Sequence, residues 1–247
     1  MFGIRGSPGF NIRTDESPSK TLLCGFSEFG LAGLTTVDYL VKQLELEQTG
    51  HIEVDQLPTI TPFENGRPRH HTRLFSRDDL DITVLVGELF VPGWAAEPFG
   101  DAILDWTEQN AVEEIVVASG VPVAHGPDEH RTFYIASPDY REAHLTDTDI
   151  PPMAGGFLDG VNGAIMARGI DSTLRTCVLT TPAHEQTPDA AAALRLLETV
   201  CTLYDLDVER APLEAFANRV SAYYEELAGR VAAAKEETGG REDRMYM

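Results

Sequence analysis

The strongest fold signal in this chain is the sequence Thr21-Leu-Leu-Cys-Gly-Phe-Ser-Glu-Phe-Gly-Leu-Ala-Gly33. Its first part, Thr21–Phe26, is an apolar run of strand length, and glycines up to Gly30 interrupt it. A helical pattern then covers residues 32–47, with apolar side chains on one face. A strand, a glycine-containing turn and a helix in this order predict the first half of a βα unit.

The same alternation continues along the rest of the chain. Predicted strands cover residues 51–57, 80–89, 114–118, 131–137 and 174–180, with a short edge strand at 10–13. Predicted helices cover residues 95–109, a segment ending near Arg168, a segment capped by Thr187 that runs to Tyr204, and a segment beginning at Pro212. This order predicts an α/β fold, with a doubly wound, mostly parallel sheet and helices on both faces.

Length and composition favour one large domain. The chain has 247 residues, of which 43% are hydrophobic, and that is enough to bury a substantial core. We predict an N-terminal segment at residues 1–20, a single α/β domain at 21–235 and a flexible C-terminal tail at 236–247. No apolar run reaches 18 residues and the first 20 residues lack a signal-peptide centre, so a cytoplasmic location is expected.

The charge balance points to habitat rather than to chemistry. Forty acidic residues face nineteen basic ones, and the net charge is -21. Lysine is scarce, since only Lys20, Lys42 and Lys235 occur. This composition is typical of a halophilic archaeal cytosol, where molar salt screens the self-repulsion; an ordinary acidic protein is the alternative. So acidic a chain is not expected to bind nucleic acid.

The three cysteines predict neither a disulfide framework nor a zinc site. Cys24, Cys177 and Cys201 each lie within an apolar strand or helix pattern, so they are expected to be small buried side chains. We predict no metal and no cofactor.

Polar residues after two predicted strands define a candidate crevice, because ligands of open α/β sheets bind at the carboxyl ends of strands. Its candidate residues are Ser27, Glu28, Gly30 and Glu88. The run lacks the lysine of a phosphate-binding loop, and Phe29 replaces the second glycine of a nucleophile elbow. A tight strand-to-helix turn is therefore the simpler interpretation.

Other residues keep an enzymatic alternative open. His125, His130 and His184 lie in loops or near strand ends, but no spacing among them matches a known metal or triad motif. A glycine-rich run at residues 155–163 precedes a helix, which suits either close backbone packing or phosphate binding. Under this alternative, a hydrolase or nucleoside-processing enzyme would use the crevice near Glu28.

The chain ends in Met245, Tyr246 and Met247, beyond a strongly periodic helical pattern and the spacer glycines Gly239 and Gly240. An apolar side chain, a tyrosine and a free carboxylate can each fill a different part of a binding groove. The pattern resembles the HbYX tail (hydrophobic residue, tyrosine, any residue) that proteasome regulators insert into the α-ring of the core particle. A frayed terminus without a partner is the alternative.

Five segments together resemble one family. They are Cys24-Gly-Phe-Ser-Glu-Phe-Gly-Leu-Ala-Gly33, Val84-Leu-Val-Gly-Glu-Leu-Phe-Val-Pro92, Glu114-Ile-Val-Val-Ala-Ser-Gly-Val-Pro122, Gly160-Val-Asn-Gly-Ala-Ile165 and residues 188–197. Their content and spacing resemble the proteasome assembly chaperone 2 family in its archaeal form, over roughly residues 20–230.

The resemblance implies a purine nucleoside phosphorylase-like fold without that enzyme's catalytic residues. It also implies homo-oligomers and, in some archaeal members, a C-terminal tail that binds the proteasome α-ring. Met245, Tyr246 and Met247 match that tail, so the expected function is non-enzymatic proteasome binding, as an assembly chaperone or ATP-independent regulator. A structural homo-oligomer with an inert tail remains the third alternative.

Overall fold

A computed structural model describes residues 9–55, 57, 60–122, 130–184 and 188–215. The strands within them are β1 (Phe10–Thr14), β2 (Thr21–Phe26), β3 (Glu47–Val54), β4 (Phe63–Glu64), β5 (Arg67–Pro68), β6 (Thr72–Ser76), β7 (Ile82–Gly87), β8 (Glu114–Val121), β9 (Phe133–Ala136) and β10 (Arg175–Pro182). The α-helices are α1 (Ala32–Gln43), α2 (Gly93–Gln109), α3 (Pro138–His144), α4 (Gly160–Gly169) and α5 (Ala190–Tyr204). A 3-10 turn, Phe29–Leu31, connects β2 to α1.

The described strands form one mixed sheet in the order β1-β3-β6-β7-β2-β8-β10-β9, beside a small β4-β5 hairpin. The central strands β7, β2, β8 and β10 are parallel to one another. The outer strands pair antiparallel with their neighbours. The predicted α/β class, with its parallel centre, is confirmed.

Helices cover both faces of the sheet. The helices α1 and α5 pack together over the central strands on one face, and α2 packs with α4 on the other. The approach of α1 is close, because a Cβ at Gly33 would lie 1.8 Å from the Ala118 carbonyl oxygen of β8. Only glycine fits there, so the glycine next to the first strand-to-helix turn has a packing role.

Alternation along β2 divides the core between the two faces. Leu22, Cys24 and Phe26 belong to a buried apolar cluster that includes Phe99 and Ile103 of α2. Every residue of β2 is buried, as expected of a central strand covered on both faces. All three cysteines are buried and free, as predicted.

Several sequence-based boundaries were wrong. The first helix ends at Gln43 rather than at residue 47, because the chain turns through Glu45 (φ 51°) and β3 already begins at Glu47. The apolar pattern extended the predicted helix, since Leu44 and Leu46 are buried in the turn itself.

The start of α5 was also mispredicted. Its N-cap is Asp189, whose carboxylate accepts a hydrogen bond from the Ala192 amide at 2.9 Å. The predicted cap, Thr187, lies outside the described residues. The strand β6 and the helix α3 were not among the predicted elements.

The chain divides into two compact units, Met1–Val208 and Glu209–Met247. The sheet and the five helices belong to the first unit, and β1 forms the predicted edge strand. The predicted domain limits at residues 20 and 235 stay predictions, and the second limit lies outside the described residues. No helix in the described part of the chain is long and apolar enough to cross a membrane.

Candidate functional site

Glu28 lies where β2 ends, within a polar cluster at the carboxyl edge of the parallel strands. Its Oε2 accepts hydrogen bonds from Ser119 Oγ at 2.9 Å and from Asn162 Nδ2 at 2.7 Å. Asn162 Nδ2 also donates to Ser119 Oγ at 3.0 Å. Three elements therefore meet at one carboxylate: the loop after β2, the end of β8 and the first turn of α4.

Burial dominates the electrostatics of this cluster. It raises the pKa of Glu28, and the nearby Asp159 carboxylate raises it further, while the hydrogen bonds from Ser119 and Asn162 oppose the shift. The Glu28 carboxyl is thus held in an environment that disfavours its negative charge, which is common at binding and catalytic sites.

Two acceptor atoms of the cluster receive no hydrogen bond from the part of the chain that the structure describes. Asn162 is 5% exposed, and its Oδ1 is buried without a hydrogen-bond partner among the described residues. None of the described residues donates a hydrogen bond to Glu28 Oε1 either. A Cβ at Gly160 would meet Oε1 at 4.0 Å and no other described atom within that distance, so the space at that Cβ position is open.

Glu88 belongs to a different cluster. It lies directly after β7, where it forms ion pairs with Arg69 and, at 3.2 Å, with Arg73 of β6. Burial lowers the pKa of Arg73, and the neighbouring Arg69 charge adds to this effect, whereas Glu88 opposes it. Neighbouring strand ends thus carry two carboxylates with different hydrogen-bond partners, and a joint Glu28–Glu88 site has no support in these contacts.

The remaining crevice candidates are Ser27 and Gly30. The Ser27 side chain makes no hydrogen bond with any described residue, whereas Gly30 has a role in backbone packing. Gly30 adopts a left-handed conformation (φ 61°), and a Cβ there would approach the His184 carbonyl oxygen at 2.9 Å. Its own carbonyl accepts from the Asp189 amide at 2.8 Å, which ties the first turn to α5. Gly30 therefore shapes the turn, as the simpler interpretation predicted.

The histidines of the enzymatic alternative do not converge in the described part of the chain. His184 Nδ1 lies 2.6 Å from Asp189 Oδ2, and the same oxygen accepts from the His184 amide, so this pair caps α5. His130 is exposed, and His125 lies outside the described residues. No group of three metal-ligating side chains could hold an ion within the described ranges.

A second buried carboxylate lies at the opposite, amino end of the parallel strands. The side chain of Glu114 is 3% exposed and accepts four hydrogen bonds. The donors are Thr21 Oγ1 at 3.0 Å, Tyr204 OH at 3.1 Å, His144 Nε2 at 2.7 Å and Arg175 Nε at 3.0 Å. Every acceptor position is engaged, so this cluster joins α3, α5 and two strands and has a structural role.

Sequence reasoning found Glu28 but missed its partners. Ser119 is followed by Gly120 near the end of β8, and Asn162 lies inside the glycine-rich run, in the first turn of α4. Both positions carried a usable signal, a polar side chain at a strand end or in a first helical turn. The link to Glu28 required the strand order, which places β8 beside β2.

The predicted tail residues Met245, Tyr246 and Met247 lie outside the described residues. Their placement stays a prediction.

The fold places this chain among α/β proteins with a mixed sheet. Its polar cluster lies at the carboxyl end of the parallel strands. The chain belongs to the PAC2 family, whose model matches residues 22–228. None of the curated proteins matches it.

Solved structures show the same fold. PbaA from Pyrococcus furiosus, described as an archaeal homolog of proteasome-assembly chaperone, is 18% identical with a TM-score of 0.80, over 96% of this chain and 99% of that chain. PbaB from the same organism, described as an archaeal proteasome activator, is 18% identical with a TM-score of 0.74, over 89% and 98%. A PAC2 family protein from Streptomyces avermitilis is 19% identical with a TM-score of 0.62, over 84% and 95%. At these identities the likeness extends to the fold alone.

Proposed function

We propose that this chain is a non-enzymatic, homo-oligomeric protein that binds the proteasome core particle through its C-terminal tail. The proposal rests on one observation: this chain belongs to the PAC2 family, and its sequence ends in Met245-Tyr246-Met247. Two proteins of the same fold are described as a proteasome-assembly chaperone homolog and a proteasome activator. Binding would take place in the cytoplasm, and its role would be assembly or ATP-independent regulation.

Each tail would bind weakly by itself. Burial of one methionine and one tyrosine side chain contributes roughly 1.5–3 kcal/mol each, and ordering the tail offsets part of that gain. A net free energy near 4 kcal/mol corresponds to a dissociation constant of about 1 mM. An oligomer that displays several tails would bind far more tightly, because the first contact raises the effective concentration of the others.

The terminal carboxylate contributes less than the side chains if the cell is salt-rich, as the acidic composition indicates. Salt near 1 M reduces the Debye length to about 3 Å, which screens an exposed pair between the carboxylate and a lysine. The apolar residue and the tyrosine ring would then provide most of the affinity. Binding through the tail should therefore survive high salt.

The test compares two full-length variants with the unchanged protein for binding to purified core particle in high salt. Tyr246→Ala removes the ring and should weaken binding at least tenfold. Met247→Ala changes the position that the pattern leaves open, so it serves as the matched control and should bind like the unchanged protein. The oligomer, measured by sedimentation, should be the same in all three. Equal binding by Tyr246→Ala and Met247→Ala would overturn the tail assignment.

A further inference from the structure

The cluster around Glu28 has more acceptors than donors among the described residues. Glu28 Oε1 receives no hydrogen bond from them, and a Cβ at Gly160, 4.0 Å from this oxygen, would meet no other described atom within that distance. Asn162 Oδ1 is buried and unpartnered among the described residues. Buried polar atoms in folded proteins nearly always have a partner, so an orphaned amide oxygen indicates a partner that the described residues do not supply. The missing group must be a hydrogen-bond donor.

The two acceptors belong to side-chain groups that are hydrogen-bonded to each other. Asn162 Nδ2 donates to Glu28 Oε2 at 2.7 Å. The free oxygen of each group is bonded to the same carbon as the engaged atom, at roughly 2.2–2.3 Å from it. A group with two N–H bonds pointing to the same side, such as a guanidinium, matches paired oxygen acceptors.

The charge around the site favours a cation. Asp159 lies close enough to raise the pKa of Glu28, and no basic side chain in the described ranges forms an ion pair with Glu28.

We propose that Glu28 and Asn162 form a binding site for a cationic nitrogen group that carries N–H donors, a guanidinium or a primary ammonium. Ser119 is a positioning residue, because its hydroxyl fixes the carboxylate and accepts from the amide. The ligand is either a free small cation or a basic side chain of a second copy of this chain. The site consists of sheet and helix residues, so it does not depend on the tail.

The first experiment is calorimetric titration of the full-length protein with agmatine, which carries both a guanidinium and a primary ammonium. Choline at the same ionic strength is the control ligand, since it has one positive charge and no N–H donor. Agmatine should bind saturably, and choline should bind at least tenfold more weakly. Equal binding of the two cations would overturn the proposal, because it would reflect only the net charge of -21.

Substitutions test whether agmatine binds at the cluster around Glu28. Glu28→Gln keeps the shape and one acceptor oxygen but turns a donor towards the ligand, so agmatine affinity should fall at least tenfold. Glu97→Gln, at an exposed carboxylate on α2, removes the same charge elsewhere and should change affinity less than twofold. Circular dichroism checks the fold, and Asn162→Ala, which removes the orphaned oxygen, replaces Glu28→Gln if that variant does not fold.

A second readout distinguishes the two sources of the cation. If a second copy fills the site, agmatine does not bind, and Glu28→Gln should shift the oligomer towards smaller species in sedimentation while Glu97→Gln does not. That outcome supports the proposal with a protein side chain as the ligand. The proposal is overturned if agmatine fails to bind and Glu28→Gln leaves the oligomer unchanged. Failure of core-particle binding by tail variants would affect neither result.

Discussion

Replacing Gly33 by alanine should severely destabilise the fold. The added Cβ would lie 1.8 Å from the Ala118 carbonyl oxygen, whereas real Cβ contacts essentially never fall below 3.0 Å. The helix α1 would have to move by about 1.2 Å, away from strands on which it packs and from α5. The opposing atom belongs to the backbone of a central strand, so it cannot rotate away.

The magnitude follows from known overpacking effects. Inserting a methyl group into a well-packed interior typically costs 1–3 kcal/mol, and a rigid backbone neighbour favours the upper end, about 3 kcal/mol. For a chain of this size 1 kcal/mol shifts the melting temperature by about 2–4 °C, so Gly33→Ala should melt roughly 6–12 °C lower. Because α1 follows the turn that carries Glu28, agmatine binding should weaken as well.

The matched control is Gly93→Ala in the first turn of α2. A Cβ at Gly93 would meet no described atom within 4 Å. Alanine is the better helix former and restricts the unfolded chain, so this variant should be roughly 0.5 kcal/mol more stable than the unchanged protein. Thermal and urea unfolding of the full chain, followed by circular dichroism, measure both variants. If Gly33→Ala unfolds within about 0.5 kcal/mol of Gly93→Ala, the close packing of α1 on β8 is wrong.

Three further predictions concern charge. Burial raises the pKa of Glu114, but hydrogen bonds led by His144 outweigh it and lower the pKa overall, so this carboxylate stabilises the fold above its unfolded pKa. Glu114→Gln should therefore lose about 2–3 kcal/mol at pH 7 in urea unfolding, less than a fully buried pair because Arg175 is 31% exposed; a loss that does not shrink as the pH falls through the folded pKa would contradict this. The raised pKa of Glu28 has the opposite sign: its contribution to stability is present at low pH and is lost as pH rises through the folded pKa. Glu28→Gln should remove that decline, so at pH 8 it should be at least as stable as the unchanged protein; lower stability at pH 8 would refute the sign. Finally, the net charge of -21 predicts a melting temperature that rises with potassium chloride up to molar concentration, whereas a flat salt profile would favour an ordinary acidic protein.

The sequence was sufficient to predict the parallel centre of the fold because strand and helix periods alternate without interruption there. It was insufficient at element ends, where tertiary contacts decide. Leu44 and Leu46 continue an apolar helical pattern, yet the chain turns at Glu45 and both side chains are buried in that turn. Likewise Asp189 caps α5 because its carboxylate also receives the His184 amide, a contact that requires the folded loop.

The candidate site was predictable only in part, for a topological reason. Glu28 follows a recognisable strand, so its location at a strand end could be inferred from the chain itself. Ser119 and Asn162 lie 91 and 134 residues away in sequence, and only the order of β2, β8 and β10 brings them to the same carboxylate. Glu88 looked equivalent in sequence, but it forms ion pairs with two arginines, whereas Glu28 accepts hydrogen bonds from Ser119 and Asn162.

The most direct test of proteasome binding is a pull-down of the core particle from a lysate of the cells that encode this chain, in high salt. The bait is either the full-length protein or a version that lacks Met245, Tyr246 and Met247. We expect only the full-length protein to retain the core particle, with both baits forming the same oligomer. Equal retention by both baits would place the contact elsewhere on the chain, and retention by neither would contradict the proposed role in proteasome binding.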